Sequence, residues 1–144
     1  MVTEIIEKEL SYQVMNAAYA VHNQLGPGFL EAIYEAALVL ELQHRGFQIQ
    51  TQVKVPVFYQ DSQVGEHVLD VLLENKLILE LKAVSGIAPI HKQQALSYLK
   101  ATNLKLAIVI NFGTLGVQSE RVVNTKKYWR HSRLRDIRVK NYLY

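Results

Sequence analysis

The sequence predicts a mixed α/β domain: one sheet of parallel and antiparallel strands with helices packed on it. Three observations lead there. Two opening segments repeat apolar residues at three- and four-residue steps, the period of a helix. Residues 64–73 and 77–83 read as two strands joined by the short polar Glu74-Asn75-Lys76, as in a hairpin. Finally, a helical stretch at 89–102 leads into Leu106-Ala107-Ile108-Val109-Ile110, a β-branched run that reads as a strand buried on both faces. A hairpin, a helical crossover and a buried strand give a mixed sheet.

The first helix is expected from a Thr3 cap to about Gln24, with Ile6, Leu10, Val14, Ala17, Ala18 and Val21 on its inner stripe. Gly26-Pro27-Gly28 ends it, since glycine accepts left-handed angles and proline cannot continue a helix. A second helix is expected at 30–45, with Gly46 just past its end. Residues 47–59 read as a strand whose Pro56 demands an edge or a bulge. Residues 60–63 are a turn, and strands are expected at 64–73 and 77–83. Pro89 suits the first turn of the third helix. Gly113 and Gly116 loosen the chain before a last strand at 118–123.

Composition narrows the chemistry. At 144 residues, with 49% hydrophobic and 20% charged, the chain has the length and balance of one globular domain. Without cysteine it has no disulfide, thiolate metal site or cysteine nucleophile. No apolar run approaches the roughly 18 residues of a membrane span. The acidic start MVTEIIEKEL lacks the basic n-region of a signal peptide, so a cytoplasmic protein with no membrane partner is expected. The net charge of +3 is uneven: residues 126–144 carry seven Lys or Arg against Asp136 alone, while the rest of the chain sums to −3. This divides the chain into a domain at 1–125 and a basic extension at 126–144. Such an extension suits a polyanion, or simply solubility.

The hairpin holds the chemistry. With Glu74-Asn75-Lys76 as a three-residue loop, Leu73 pairs with Leu77, Leu72 with Ile78, Val71 with Leu79, and Asp70 with Glu80. Leu69, Val71, Leu73, Leu77, Leu79 and Leu81 then share one face. Asp70, Leu72, Ile78, Glu80 and Lys82 share the other. Opposed carboxylates repel unless a cation lies between them. Oxygen-only ligands favour hard ions such as Mg²⁺ or Mn²⁺, which activate water and hold phosphate oxygens. Lys82 adds a positive group beside them. An ordinary wet sheet face with an ion pair gives the same spacing, but its neighbours Val-Leu and Leu-Ile-Leu are too apolar for that.

Four short motifs in order carry a resemblance. They are Gly28-Phe29-Leu30-Glu31-Ala32-Ile33-Tyr34, then Asp70 with Glu80-Leu81-Lys82, then Gln94 with Tyr98, then Ile110-Asn111-Phe112-Gly113. Together they resemble the GxxExxY family of the PD-(D/E)XK nuclease superfamily, over roughly residues 5–125. The resemblance implies a restriction-endonuclease-like core, a central four-stranded mixed β-sheet flanked by helices. It implies metal-dependent phosphodiester hydrolysis, with Asp70, Glu80, the Leu81 carbonyl and Glu31 as metal ligands. Lys82 would then orient or activate water, and Gln94 would hold the water or a phosphate. Leu69 stands where the superfamily often has proline.

Glu31 also reads as an acid favoured by a helix N-terminus. Tyr34 reads as packing, its hydroxyl holding Glu31 or a sheet group. His91, Gln94 and Tyr98 share one helical stripe, His91 reading as a solvated first-turn residue. Lys92 and Lys100 face phosphate or water, and so do Lys126, Lys127 and Arg130 in the tail. Tyr128, Trp129, Tyr142 and Tyr144 interleave with those cations, a pattern that suits bases or a docked terminus. Two functions fit: a Mg²⁺- or Mn²⁺-dependent nuclease acting on nucleic acid, DNA before RNA, and a catalytically silent nucleic-acid-binding or assembly module on the same fold. A homodimer would suit either.

Overall fold

The protein is described over residues 5–124 by a computed structural model. Its eight elements in chain order are α1 (Lys8–Leu25), α2 (Glu31–His44), β1 (Ile49–Tyr59), β2 (Ser62–Leu73), β3 (Leu77–Lys82), α3 (Pro89–Thr102), β4 (Leu106–Asn111) and β5 (Gln118–Val123). The expected Thr3 cap and the 126–144 extension lie outside the described residues. The first helix starts at Lys8 rather than near Thr3, after Glu7 in the left-handed region. Its Ser11 hydroxyl donates to the Glu7 carbonyl at 2.7 Å.

The strands form one five-stranded sheet in the order β1-β2-β3-β4-β5. Among the described strands only β3 and β4 are parallel, joined by the α3 crossover. The sheet therefore has one strand more than the four the resemblance implies: the last strand read at 118–123 is present, and Gln118–Val123 pairs antiparallel along the whole of β4. Pro56 lies on edge strand β1, opposite Glu66, and the register shifts just after it, at Val57/Phe58, so the proline sits both on an edge and next to an irregularity. The β1–β2 turn is tighter than the four residues expected. Gln60 and Asp61, both at positive φ, form a two-residue connection between Tyr59 and its partner Ser62.

Two apolar cores sandwich the sheet. One joins α1 and α2 to Val71, Leu73, Leu77, Leu79, Leu81, Leu106, Ile108 and Ile110. The other joins α3 to Val55, Leu69, Leu72, Ile78, Ala107 and Val109. The central strands β3 and β4 are buried on both sides, and hence apolar at nearly every position. Glu80 and Asn111 are the two buried polar residues within them. No described helix is long and apolar enough to cross a membrane.

Candidate active site

The β2–β3 hairpin has the expected register: Leu73↔Leu77, Leu72↔Ile78 and Val71↔Leu79. Glu74 and Asn75 make its turn at φ 54° and 55°. The ladder then stops one step short of the expected Asp70–Glu80 pair. In its place the Asp70 carboxylate accepts a hydrogen bond from the Leu81 backbone N–H at 3.1 Å. Its own pairing to β1 lapses too. Thr51 pairs with Val71 and Val53 with Leu69, but Gln52 between them sits at φ 52° and drops out of the register.

The consequence corrects one expectation. Leu69 should share a face with Val71 by simple alternation, yet it packs with Leu72 and Ile78 on the α3 side. Strand β2 therefore switches faces at Asp70. Two adjacent residues spanning such a break turn backbone polar groups away from the ladder, as at a bulge. That opens the sheet where Asp70 and Glu80 meet.

Four carboxylates interact there. Burial pushes Glu80 up to about 8, and the Asp70 charge adds to it, while Lys82 pulls the other way. Glu80 is 4% exposed, and its Oε1 is buried with no hydrogen-bond partner. Asp70 is also raised, by burial, against the opposing influence of the Leu81 N–H and Lys82. Glu31, the first residue of α2, is raised by burial and by Asp70, and lowered by Lys82 and His91. The fourth, Glu35, is raised by burial, Asp70 and Glu31, with Gln52 donating to it at 3.3 Å. Glu35 escaped the sequence reading as a site residue. The signal was its i, i+4 spacing from Glu31, which stacks two like charges on one helix face.

The α2 N-terminus is held by Tyr34, fully buried and stacked on Phe112 with ring centroids 4.8 Å apart. Its hydroxyl donates to the Gly26 carbonyl at 2.6 Å and accepts from the Phe29 N–H at 3.2 Å. It thus pins the Gly26–Phe29 loop rather than Glu31 or a sheet group. Gly26 and Gly28 take the positive φ angles, 75° and 107°, that the loop requires.

Helix α3 contributes less directly. Tyr98 is buried, its ring against His67 at 4.5 Å. Its hydroxyl is pushed up to about 12 by burial and by the charges of Glu80 and Asp70. His91 is a capping group, not a solvated one: its Nδ1 accepts from the Ala88 N–H at 3.0 Å. Gln94 is exposed, and its backbone carbonyl accepts the Ser97 hydroxyl at 2.6 Å. Its side chain makes no hydrogen bond to the carboxylates among the described residues. Lys92 is exposed. Lys100 lines a small pocket with His67, Ser97 and the apolar Pro56, Val57, Phe58 and Ala101. Lys126, Lys127 and Arg130 lie outside the described residues.

The donor set fits a hard divalent cation in kind: carboxylate oxygens, one of them buried and unbonded. Among the described residues, no group of three or more His, Asp or Glu side chains is drawn together as a finished ligand cage. The carboxylates are coupled chiefly through Asp70.

A three-layer mixed sheet carrying coupled carboxylates where its hairpin splays defines a class of α/β domain with an acidic centre on the central strands. The chain belongs to the PD-(D/E)XK nuclease superfamily, whose sequence model matches residues 8–124. No curated protein matches it significantly. Among solved structures it resembles the chain titled "Crystal structure of SSO0001", with a TM-score of 0.52 and 14% identity, over 94% of this chain and 67% of that one. That likeness is one of fold.

Proposed function

We propose that this protein is a metal-dependent nuclease that hydrolyses phosphodiester bonds, with DNA as its first substrate, and that it belongs to the GxxExxY branch of its superfamily. The observation carrying this reading is the buried Glu80, with an unbonded oxygen and a second carboxylate beside it. Burying an acid with one oxygen unpaired is costly, and a divalent cation would relieve both the desolvation and the repulsion. Asp70, Glu80, the Leu81 carbonyl and Glu31 are the groups that would hold Mg²⁺ or Mn²⁺, with Glu35 adding charge behind Glu31.

When bound, the ion supplies Lewis acidity toward a phosphate oxygen and a more acidic water. The chain's own groups do the rest. The Asp70 carboxylate, tied to the Leu81 N–H, keeps β2 and β3 splayed so that the phosphodiester can approach. Lys82, the last residue of β3, orients the attacking water and balances charge gathering on the phosphate oxygens. Lys92 and Lys100 on α3 and Lys126, Lys127 and Arg130 in the extension would hold neighbouring phosphates, and Gln94 would bind a water or a phosphate at the rim.

Calorimetric titration with Mn²⁺, alongside cleavage assays on DNA and RNA, tests this. A binding isotherm lost in Glu80→Gln, with cleavage lost in Asp70→Asn, is expected. Salt-sensitive nucleic-acid binding without ion uptake or turnover, at high protein concentration, would establish the silent binding module instead.

A further inference from the structure

Lys82 ends β3 and has no further strand residue to steady it. The chain must leave the sheet there and turn through Ser85 and Gly86 into α3. The segment just past the strand is nonetheless held tightly. Lys82 stands opposite Asn111 in the parallel ladder, and its carbonyl accepts the Phe112 N–H at 2.8 Å. Beyond that point the Asn111 side chain takes over. Its Oδ1 accepts the Val84 N–H at 2.9 Å, and its Nδ2 donates to the Val84 carbonyl at 3.0 Å. One carboxamide thus pairs with both backbone groups of one residue, as a strand peptide would.

The remaining valences of that carboxamide are also used. Oδ1 accepts a second bond from the Gly113 N–H at 3.0 Å, and Nδ2 donates a second to Gln118 Oε1 at 3.0 Å. All four hydrogen-bonding positions of the side chain are filled, and Asn111 is fully buried. The amide orientation is determined, because a flip would set NH₂ against two N–H donors. Gly113 lets the segment close down: a Cβ there would collide with the Val84 nitrogen and carbonyl oxygen and lie 2.7 Å from the Ala83 carbonyl carbon. A merely buried asparagine would not need a neighbour without a side chain packed on the same peptide.

We propose that Asn111 is a positioning residue: its carboxamide, oriented by Gln118 and backed by Gly113, extends the β3–β4 ladder by one rung past Lys82 and fixes where the Lys82 ammonium is delivered. The inference rests on the nuclease reading for its catalytic consequence, but not for the positioning itself. The device acts on the lysine, not on the carboxylates, since Asp70 and Glu80 are anchored upstream of it.

The test uses the full chain with Asn111→Ala, Gln118→Leu and Gln118→Glu, the last retaining an acceptor oxygen for Nδ2. Three readouts are compared: amide exchange at Val84 and Gly113, the rate of low-dose acetylation of Lys82 against Lys54, Lys76 and Lys92, and Mn²⁺-supported cleavage. In Asn111→Ala the Val84 amide should lose protection and the relative Lys82 acetylation rate should change several-fold. Cleavage kcat should fall by about tenfold or more, the scale of a misplaced catalytic group, with KM and Mn²⁺ affinity unchanged. Gln118→Leu should shift all three in the same direction by less, and Gln118→Glu should restore them. Folded Asn111→Ala with wild-type Lys82 acetylation overturns the proposal. If that variant does not fold, identical Val84 exchange and Lys82 acetylation in Gln118→Leu and wild type overturn it. Absence of cleavage in the wild type would remove the nuclease reading, while the exchange and acetylation comparisons still decide the positioning.

Discussion

A carboxylate with 4% exposure, an unbonded oxygen and a second carboxylate beside it makes Glu80 the residue on which the protein's pH response turns. Its folded-state pKa is pushed up to about 8 from an ordinary value of 4.5. Across that window the folded protein keeps a proton that the unfolded chain has released, so stability must fall as pH rises. Asp70, Glu31 and Glu35 are raised too and add to the same slope. In metal-free buffer the melting temperature should therefore drop between about pH 5 and pH 8, and Glu80→Gln should flatten the drop. Mn²⁺ should raise the melting temperature at about pH 8 and do little at about pH 5, where protons compete for the same oxygens. His67, lowered by burial, works in the opposite sense: its contribution is present above its ordinary pKa and lost as pH falls below it. Tyr34 gives a second prediction at this scale. Tyr34→Phe removes a buried hydroxyl that serves Gly26 and Phe29, and should cost about 1–3 kcal/mol in urea unfolding.

At the scale of elements, the hairpin was legible because its period, its turn length and its apolar spacing all agree on one register. Its break was not. Gln52 at φ 52° and the lapse of pairing at Asp70 are tertiary events, and alternation alone sends Leu69 to the wrong face. The placement of Leu69 can be tested by double-mutant cycles with truncations to alanine. Leu69 should couple with Leu99 of α3, by about 0.5 kcal/mol or more, and not with Leu38 of α2 on the other side of the sheet. Coupling to Leu38 instead would restore the simple alternation. The third helix was read at its observed bounds, since Pro89 marks its start in any context. The first was not. Thr3 is a good cap by type, but the helix begins where Glu7 turns and the Ser11 hydroxyl closes on its carbonyl.

For the whole molecule, the mixed sheet and its flanking helices were legible from element order, and the fifth strand completes it. Superfamily membership over residues 8–124 agrees with both. Of the candidate residues, Asp70, Glu80 and Lys82 were visible as one hairpin, and Glu31 through a motif. Glu35 and Asn111 have neighbours that only the fold brings near, Asp70 for one and Val84 for the other. The uneven charge makes a separate prediction. Removing residues 126–144 takes away seven basic groups and one acid, so affinity for nucleic acid should weaken and its dependence on salt become shallower. Unchanged salt dependence would mean that phosphate contacts come from the 1–125 part of the chain alone.

Whether Asp70, Glu80 and Lys82 form one hydrolytic centre is decided by DNA cleavage in Mg²⁺ or Mn²⁺, wild type against Lys82→Ala, with Mn²⁺ affinity measured on both. Metal-dependent cleavage should fall by about a hundredfold or more in Lys82→Ala, as for a lost charge-stabilising group, while the ion binds as before. Cleavage undiminished in Lys82→Ala, or no cleavage of any nucleic acid by a wild type that binds the ion, would show that the three residues are no such centre.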